Sequence, residues 1–109
     1  MPTTYKVLGQ SNPSATTATT LYTAPAATQT IVSTITVCNQ ASSAATYRIA
    51  VRVAGAALAA AQYLAYDVSL PGNASDTLTL GVTLGATDVI TVYASSATVS
   101  FNAYGSELS

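Results

Sequence analysis

This 109-residue chain lacks histidine and tryptophan, contains one cysteine and carries very little charge. Its three basic and four acidic residues make up 6% of the sequence, whereas an average soluble domain has roughly 25%. Without histidine the usual general base is missing. A single cysteine excludes an internal disulfide and the common zinc and iron ligand sets. We therefore expect no enzymatic activity, no catalytic residue, no metal and no cofactor.

The scarcity of basic residues and of long apolar runs excludes two further classes of partner. Three basic side chains cannot neutralise a useful length of phosphate backbone, so we expect no nucleic-acid partner. The longest apolar run, Val53 to Ala61, covers nine residues, where a membrane-spanning helix needs about 20. The first residues also lack the basic and apolar regions of a signal peptide. We therefore expect that the protein does not associate with membranes and that it is synthesised in a cytoplasm.

Alanine, threonine and serine dominate the residues that are present and supply 51 of the 109 positions. Half of the chain is hydrophobic, which excludes a disordered segment. Its polar positions are mostly hydroxyls, so the mixed surface charge that keeps ordinary monomers apart is missing. This composition predicts a folded domain whose surface is largely covered by partners.

The hydrophobic periodicity is two residues along most of the chain, which is the period of a β-strand. Between Thr46 and Val53 the large apolar residues alternate with Arg48, Ala50 and Arg52, as in a half-buried strand. Similar runs, separated by turn residues, total about eight strands at regular spacing. The pattern predicts an all-β fold, a single antiparallel β-sandwich resembling a jelly roll. The Ala-rich stretch 54–61 is interpreted as a loop.

Three strand patterns carry more detailed expectations. The β-branched run Ile31–Cys38 predicts burial on both faces, with its cysteine a buried structural thiol. The even-numbered residues of Leu64–Leu70 alternate as one face of a strand. The run Leu78–Leu84 is interpreted as one strand in which Gly81 marks a bulge.

The chain divides into an N-terminal segment, residues 1–19, and the sandwich proper, residues 20–109. The first segment combines a strand with a low-complexity stretch that is either an arm reaching a neighbour or an ordinary surface loop. Arg48 and Arg52 lie four residues apart and share one strand face, which is either a solvated face or a docking face. With Tyr5 and Lys6 of the N-terminal segment, they are the candidate partner-docking residues.

Five segments of the chain resemble small virion proteins of tailed bacteriophages, including phages of cyanobacteria. They are Tyr5–Gln10, Leu21–Pro25, Ile31–Asn39, Asp88–Ala94 and Val99–Gly105. The resemblance implies a non-enzymatic particle component, which we take to be a capsid decoration or cement protein. A tail or tail-fibre module involved in host attachment is the alternative. A free-standing ice-binding domain would need threonines in a regular register, which this chain lacks.

This reading also carries expectations about partners and location. The protein would be synthesised in the host cytoplasm and would end in the virion. Its partners would be other virion proteins, either the major capsid protein or tail proteins. We further expect a homo-oligomer, with a trimer as the favoured number. The resemblance supplies no catalytic residues.

Overall fold

The computed structural model describes residues 2–109, and strands make up most of that length. In chain order the strands are β1 Thr3–Ser11, β2 Thr19–Thr23, β3 Gln29–Asn39, β4 Ala45–Arg52, β5 Tyr63–Leu70, β6 Ser75–Leu78, β7 Val82–Leu84, β8 Val89–Ala94 and β9 Val99–Leu108. The connection between β4 and β5 contains a tight turn at Val53–Gly55, in which Ala54 and Gly55 have φ angles of 53° and 71°, and a single-turn 3₁₀ helix at Ala60–Gln62. The stretch 54–61, interpreted as a loop, is therefore a loop with a turn at each end.

The strands form two antiparallel sheets that pack against each other. Sheet A has the order β1-β9-β3-β6, and β7 pairs with β3 on the same side as β6. Sheet B has the order β2-β8-β4-β5. The all-β sandwich predicted from the two-residue period is confirmed.

Strand pairing is nested along the chain. The first strand pairs with the last, β2 with β8, β3 with β6 and β7, and β4 with β5. The pairs β3·β9 and β4·β8 then join these units into the two sheets. The chain is thus one long antiparallel ribbon folded over itself, and Thr3 lies opposite Leu108 near the two termini.

The core lies between the two sheets and is built around two aromatic rings. Tyr47 of sheet B and Phe101 of sheet A meet edge to face, with ring centroids 6.1 Å apart. Other fully buried large side chains are Ile35, Ile49, Leu70, Ile90, Val32, Val37, Val92 and Val99. The Tyr47 hydroxyl donates a hydrogen bond of 2.8 Å to Asp76. Burial, together with that carboxylate, holds the pKa of Tyr47 well above its usual value.

Asn39 joins three connections at one end of the sandwich. Its side chain is buried, and its amide group donates to the carbonyl oxygens of Ser43, Leu70 and Pro71 at 2.9, 3.3 and 3.4 Å. Its side-chain oxygen accepts hydrogen bonds from the Thr98 hydroxyl and from the Ala41 amide. A buried amide with this many partners fixes the loops that surround it.

The expectation that β3 is buried on both faces is wrong. Val32, Ile35 and Val37 are buried, but Ile31 is 52% exposed and Cys38 is only partly buried. The register against β9 shifts between residues 32 and 34. Because of this bulge, Val32 before it and Ile35 after it lie on the same inner face. Only one face of sheet A therefore contributes to the core.

Two other patterns were also misassigned. In β5 the register against β4 shifts twice, so Tyr66 and Asp67 both face outward, while Val68 packs against the core. The run Leu78–Leu84 is not one strand, because β6 ends at residue 78 and β7 begins at residue 82. Gly81 lies in that break with a φ of 66°, a conformation that glycine adopts at no steric cost.

Candidate docking surfaces

The charged side chains of residues 2–109 all have partners within the chain. Lys6 pairs with Glu107 at 3.2 Å, and Arg48 pairs with Asp67 at 2.6 Å. Asp88 accepts hydrogen bonds from the Ala54 and Gly85 amides, both at 2.8 Å. Arg52 donates to two backbone carbonyl oxygens, and Asp76 accepts a hydrogen bond from the Tyr47 hydroxyl. A binding partner would therefore find almost no unpaired charged side chain on this surface.

Arg48 lies at the centre of a cluster on the outer face of sheet B. Its Nε and Nη2 donate to the two carboxylate oxygens of Asp67 at 2.6 and 3.3 Å. Its guanidinium carbon lies 4.2 Å from the ring centroids of both Tyr66 and Tyr93. The hydrogen bond to Asp67 raises the pKa of Arg48 above its already high value. We call Arg48, Tyr63, Tyr66, Asp67 and Tyr93 the sheet-B cluster.

The bulges in β5 create this cluster. Asp67 has a φ of 51°, which places it and Tyr66 together on the outer face opposite Arg48. The rings of Tyr63 and Tyr66 meet edge to face, 4.8 Å apart. Beside them lies an open, mainly apolar cleft of about 440 Å³, which Leu58 and neighbouring alanines complete. Strict alternation along β5 puts Tyr66 on the same face as Val68, so the sequence pattern does not predict this cluster.

Arg52 shares a strand face with Arg48 but has a different role. Its Nε and Nη2 donate to the carbonyl oxygens of Ala56 and Gly55 at 2.7 and 2.9 Å, and its Nη1 to Thr91 at 3.3 Å. The guanidinium thereby holds the turn that follows β4. Arg52 supports the connection over sheet B, and its donors face its own chain.

Tyr5 and Lys6, adjacent on β1, point to opposite sides of sheet A. Lys6 binds Glu107, which also accepts a 2.5 Å hydrogen bond from the Tyr22 hydroxyl. The hydrogen bonds from Tyr22 and Lys6 lower the pKa of Glu107. Burial and the same carboxylate raise the pKa of Tyr22 to about 12. Tyr5, in contrast, is 83% exposed. The structure therefore does not bring the four candidate docking residues together.

The N-terminal segment follows the surface of its own sandwich. Strand β1 pairs with β9 along its length. Beyond it, the Asn12 side chain donates to the carbonyl oxygens of Ala97 and Val99, and the Thr16 amide donates to that of Ala94. Met1, the first residue of the predicted segment 1–19, lies outside the described residues. Because β1 covers one edge of β9, we expect removal of residues 1–19 to destabilise the fold.

The outer face of sheet A carries none of the charged residues described above. Its outward side chains, assigned from strand register and burial, are Thr3, Tyr5, Val7, Gln10, Gln29, Ile31, Thr34, Thr36, Cys38, Ser75, Thr77, Thr83, Ser100, Asn102, Tyr104, Ser106 and Leu108. None of them is buried, and we call this surface the uncharged face. A signal for it exists in the sequence, because residues 7–47 and 89–106 contain no charged residue.

Four exposed apolar residues lie together at one end of the uncharged face. Val7 is opposite Tyr104, while Tyr5 and Ile31 flank Ser106 from the two neighbouring strands. Their exposed fractions range from 36% for Tyr104 to 83% for Tyr5. Contiguous exposed apolar groups of this kind mark interaction sites more often than isolated ones do.

The chemistry available elsewhere among residues 2–109 is sparse. These residues contain no group of three or more His, Cys, Asp or Glu side chains placed to hold a metal ion. No helix in the same range is long and apolar enough to cross a membrane. Comparison with known proteins finds no family model, no curated protein and no solved structure that matches this chain.

Proposed function

We propose that this chain is a non-enzymatic structural protein of a phage particle, a decoration or cement protein that stabilises the particle through contacts between subunits. The observation that carries the proposal is the uncharged face, which spans sheet A from β1 to β6 and β7. Covering charged groups costs free energy unless they are paired. A surface of hydroxyl, amide and apolar groups avoids that cost, so it suits permanent burial against protein.

The nested strand pairing adds support at the level of the fold. We infer that the sandwich is a jelly roll of eight strand positions, in which β6 and β7 together occupy one position beside β3. Jelly rolls occur in viral capsid proteins and in lectins. Because a shared architecture does not imply a shared function, the proposed role rests on the surfaces of the molecule.

The proposed mechanism is that of a rigid linker between neighbours. The sandwich measures 45 × 27 × 20 Å and presents two different outer faces, one on each sheet. A body with two docking faces can touch two neighbouring subunits at once, and we propose the major capsid protein as one of these two neighbours. Each contact is modest, but the second becomes intramolecular once the first has formed, which raises the overall affinity.

The second candidate function is host attachment as part of a tail or tail fibre. The cleft beside Tyr63 and Tyr66 favours it, because Tyr66 is 56% exposed and the Arg48–Asp67 pair lies next to it. An aromatic ring beside paired hydrogen-bonding groups suits recognition of a sugar or of a peptide. A glycan array probed with the purified chain tests that reading.

Immunogold labelling of intact particles, with an antibody against this chain, tests the proposal directly. Label spread over the head supports the decoration role. Label confined to the tail or its tip supports host attachment and overturns decoration. If neither structure is labelled and the protein remains in the soluble lysate, both virion roles are overturned.

A further inference from the structure

We propose that the uncharged face of sheet A packs against the same face of a second copy of this chain, forming a pair related by a two-fold axis. The role of that pair in a particle rests on the proposed function. The pair itself follows from the surface of the chain and can be tested without any particle.

Charge is the first argument for a second copy as the occupant. A partner that brought charged side chains to this face would bury them without counter-charges, because the face has none. The occupant must therefore present an uncharged surface of similar size. The chain's own sheet A meets that requirement, and its hydroxyl and amide groups can both donate and accept hydrogen bonds.

Area is the second argument. Four strand positions spaced about 4.8 Å apart, each about 34 Å long, give roughly 650 Å² of sheet on each copy. Stable specific interfaces begin at about 600 Å² on each partner. A pair that uses the whole face therefore reaches the required size, whereas contact between two sheet edges would not.

The exposed apolar residues supply anchors for such an interface. Tyr5 is 83% exposed, and Ile31 is 52% exposed although the inner face of its strand, β3, is buried in the core. Large side chains of this kind contribute most of the binding energy in known interfaces. Two sheets packed face to face would bury these side chains in a layer about 10 Å thick, as in a sandwich core.

The two-fold arrangement has a structural consequence. Face-to-face packing stops at two copies, because each uncharged face is covered by the other and none remains for a third copy. The two sheet-B clusters then point outward on opposite sides, where each can contact a different neighbour in the particle. The sequence favours a trimer, and a measurement of the mass in solution decides between a trimer and this pair.

Size-exclusion chromatography with light scattering across a dilution series is the test. We expect the wild-type chain to have twice the monomer mass of 11.0 kDa. Ile31→Lys places like charges in the interface and should weaken the pair about tenfold or more. Thr36→Lys, at the middle of the same face, is a second variant with the same expected result.

Leu64→Lys is the matched control, because Leu64 is 45% exposed but lies on β5 of sheet B. It should stay paired, and circular dichroism with thermal melting should show that every variant is folded. A monomeric or trimeric wild-type chain overturns the proposal, and so does pairing that survives both lysines on sheet A.

The test also separates the pair from the proposed function. A pair in solution together with unlabelled particles overturns the virion role and supports the pair. A monomer in solution together with labelled heads overturns the pair and supports the virion role.

Discussion

Sheets A and B enclose one core but treat their outer faces differently. On sheet B the connection after β4 and the loop before β2 border the outer surface, and the outward residues Ala50 and Thr91 are 0% and 5% exposed. The sheet-B cluster completes that cover with a bidentate ion pair and with the Arg48 guanidinium over the rings of Tyr66 and Tyr93. On sheet A every outward residue retains some exposure, and none is charged.

The two sheets differ in where their charged residues lie. Sheet B uses Arg48, Arg52 and Asp67 to fix its own cover. Sheet A turns Lys6, Asp76 and Glu107 toward the sandwich interior or its margin, where tyrosine hydroxyls meet two of them. A face cleared of charge in this way can be covered at little electrostatic cost, which is the basis of the interface proposed above.

Truncating an isoleucine of β3 should destabilise the protein strongly on the inner face and only weakly on the outer face. Ile35→Ala should lower the free energy of unfolding by about 4 kcal/mol, because it opens a cavity in the packed core. Ile31→Ala on the same strand is the matched control and should cost less than about 1 kcal/mol in the monomer. Urea denaturation measures both, at a protein concentration low enough that light scattering shows the chain to be monomeric. Equal losses would contradict the view that only one face of sheet A is packed.

A second variant breaks sheet A at its centre. The Cβ of Gly105→Ala would collide with the backbone carbonyl of Ile31 on the neighbouring strand. We expect a loss of about 3 kcal/mol in unfolding free energy, since backbone atoms cannot move aside as a side chain can. Ser106→Ala, at the next position of β9, should be nearly neutral. A neutral Gly105→Ala would show that β9 and β3 are less closely apposed there.

A third prediction concerns pH and the inner side of sheet A. The pKa of Glu107 is lowered in the folded state, so its stabilisation is present above the usual carboxylate pKa and is lost as pH falls through the lowered value. Glu107→Gln should therefore destabilise the protein at neutral pH, and the difference should shrink in acid. Thermal melting as a function of pH measures it. A pH-independent difference would contradict an ionic role for this carboxylate.

The smallest expected effect is on the sheet-B cluster. Arg48→Lys keeps the charge but loses the bidentate pairing with Asp67 and the contacts of the guanidinium with the Tyr66 and Tyr93 rings. Because the pair is solvent-accessible, we expect only a small fall in melting temperature, reduced further by salt. Asp67→Asn, which suits the same left-handed backbone, is the companion variant. A salt-independent loss would show that stacking outweighs the ion pair.

Much of the fold could be predicted because strand periodicity is a local property. The alternation in β4 correctly placed Tyr47 and Ile49 inside and Arg48 outside. Bulges limited this reasoning, since one extra residue in β3 or β5 exchanges the faces of everything that follows. The bulges result from pairing with a distant strand, so no local pattern marks Ser33 or Asp67 as the place where the register shifts.

The candidate docking residues show the same limit. Arg48 and Arg52 do share a face, as their spacing predicts, but their partners lie at residue 67 and at the turn carbonyls of residues 55 and 56. Which of them faces an outside partner depends on contacts that spacing alone does not describe. Tyr5 and Lys6 are separated onto opposite sides of one strand for the simple reason that neighbouring strand residues alternate.

Scarcity of charge, absence of histidine and strand-forming alternation are readable in the chain directly, because they are properties of composition and local order. Contacts between distant residues set which face of each sheet is covered and which charge meets which partner, and they bring Tyr5, Ile31 and Tyr104 into one exposed group. Alternation creates two faces on every strand. Only the packing of one sheet against the other determines which of the two faces is buried.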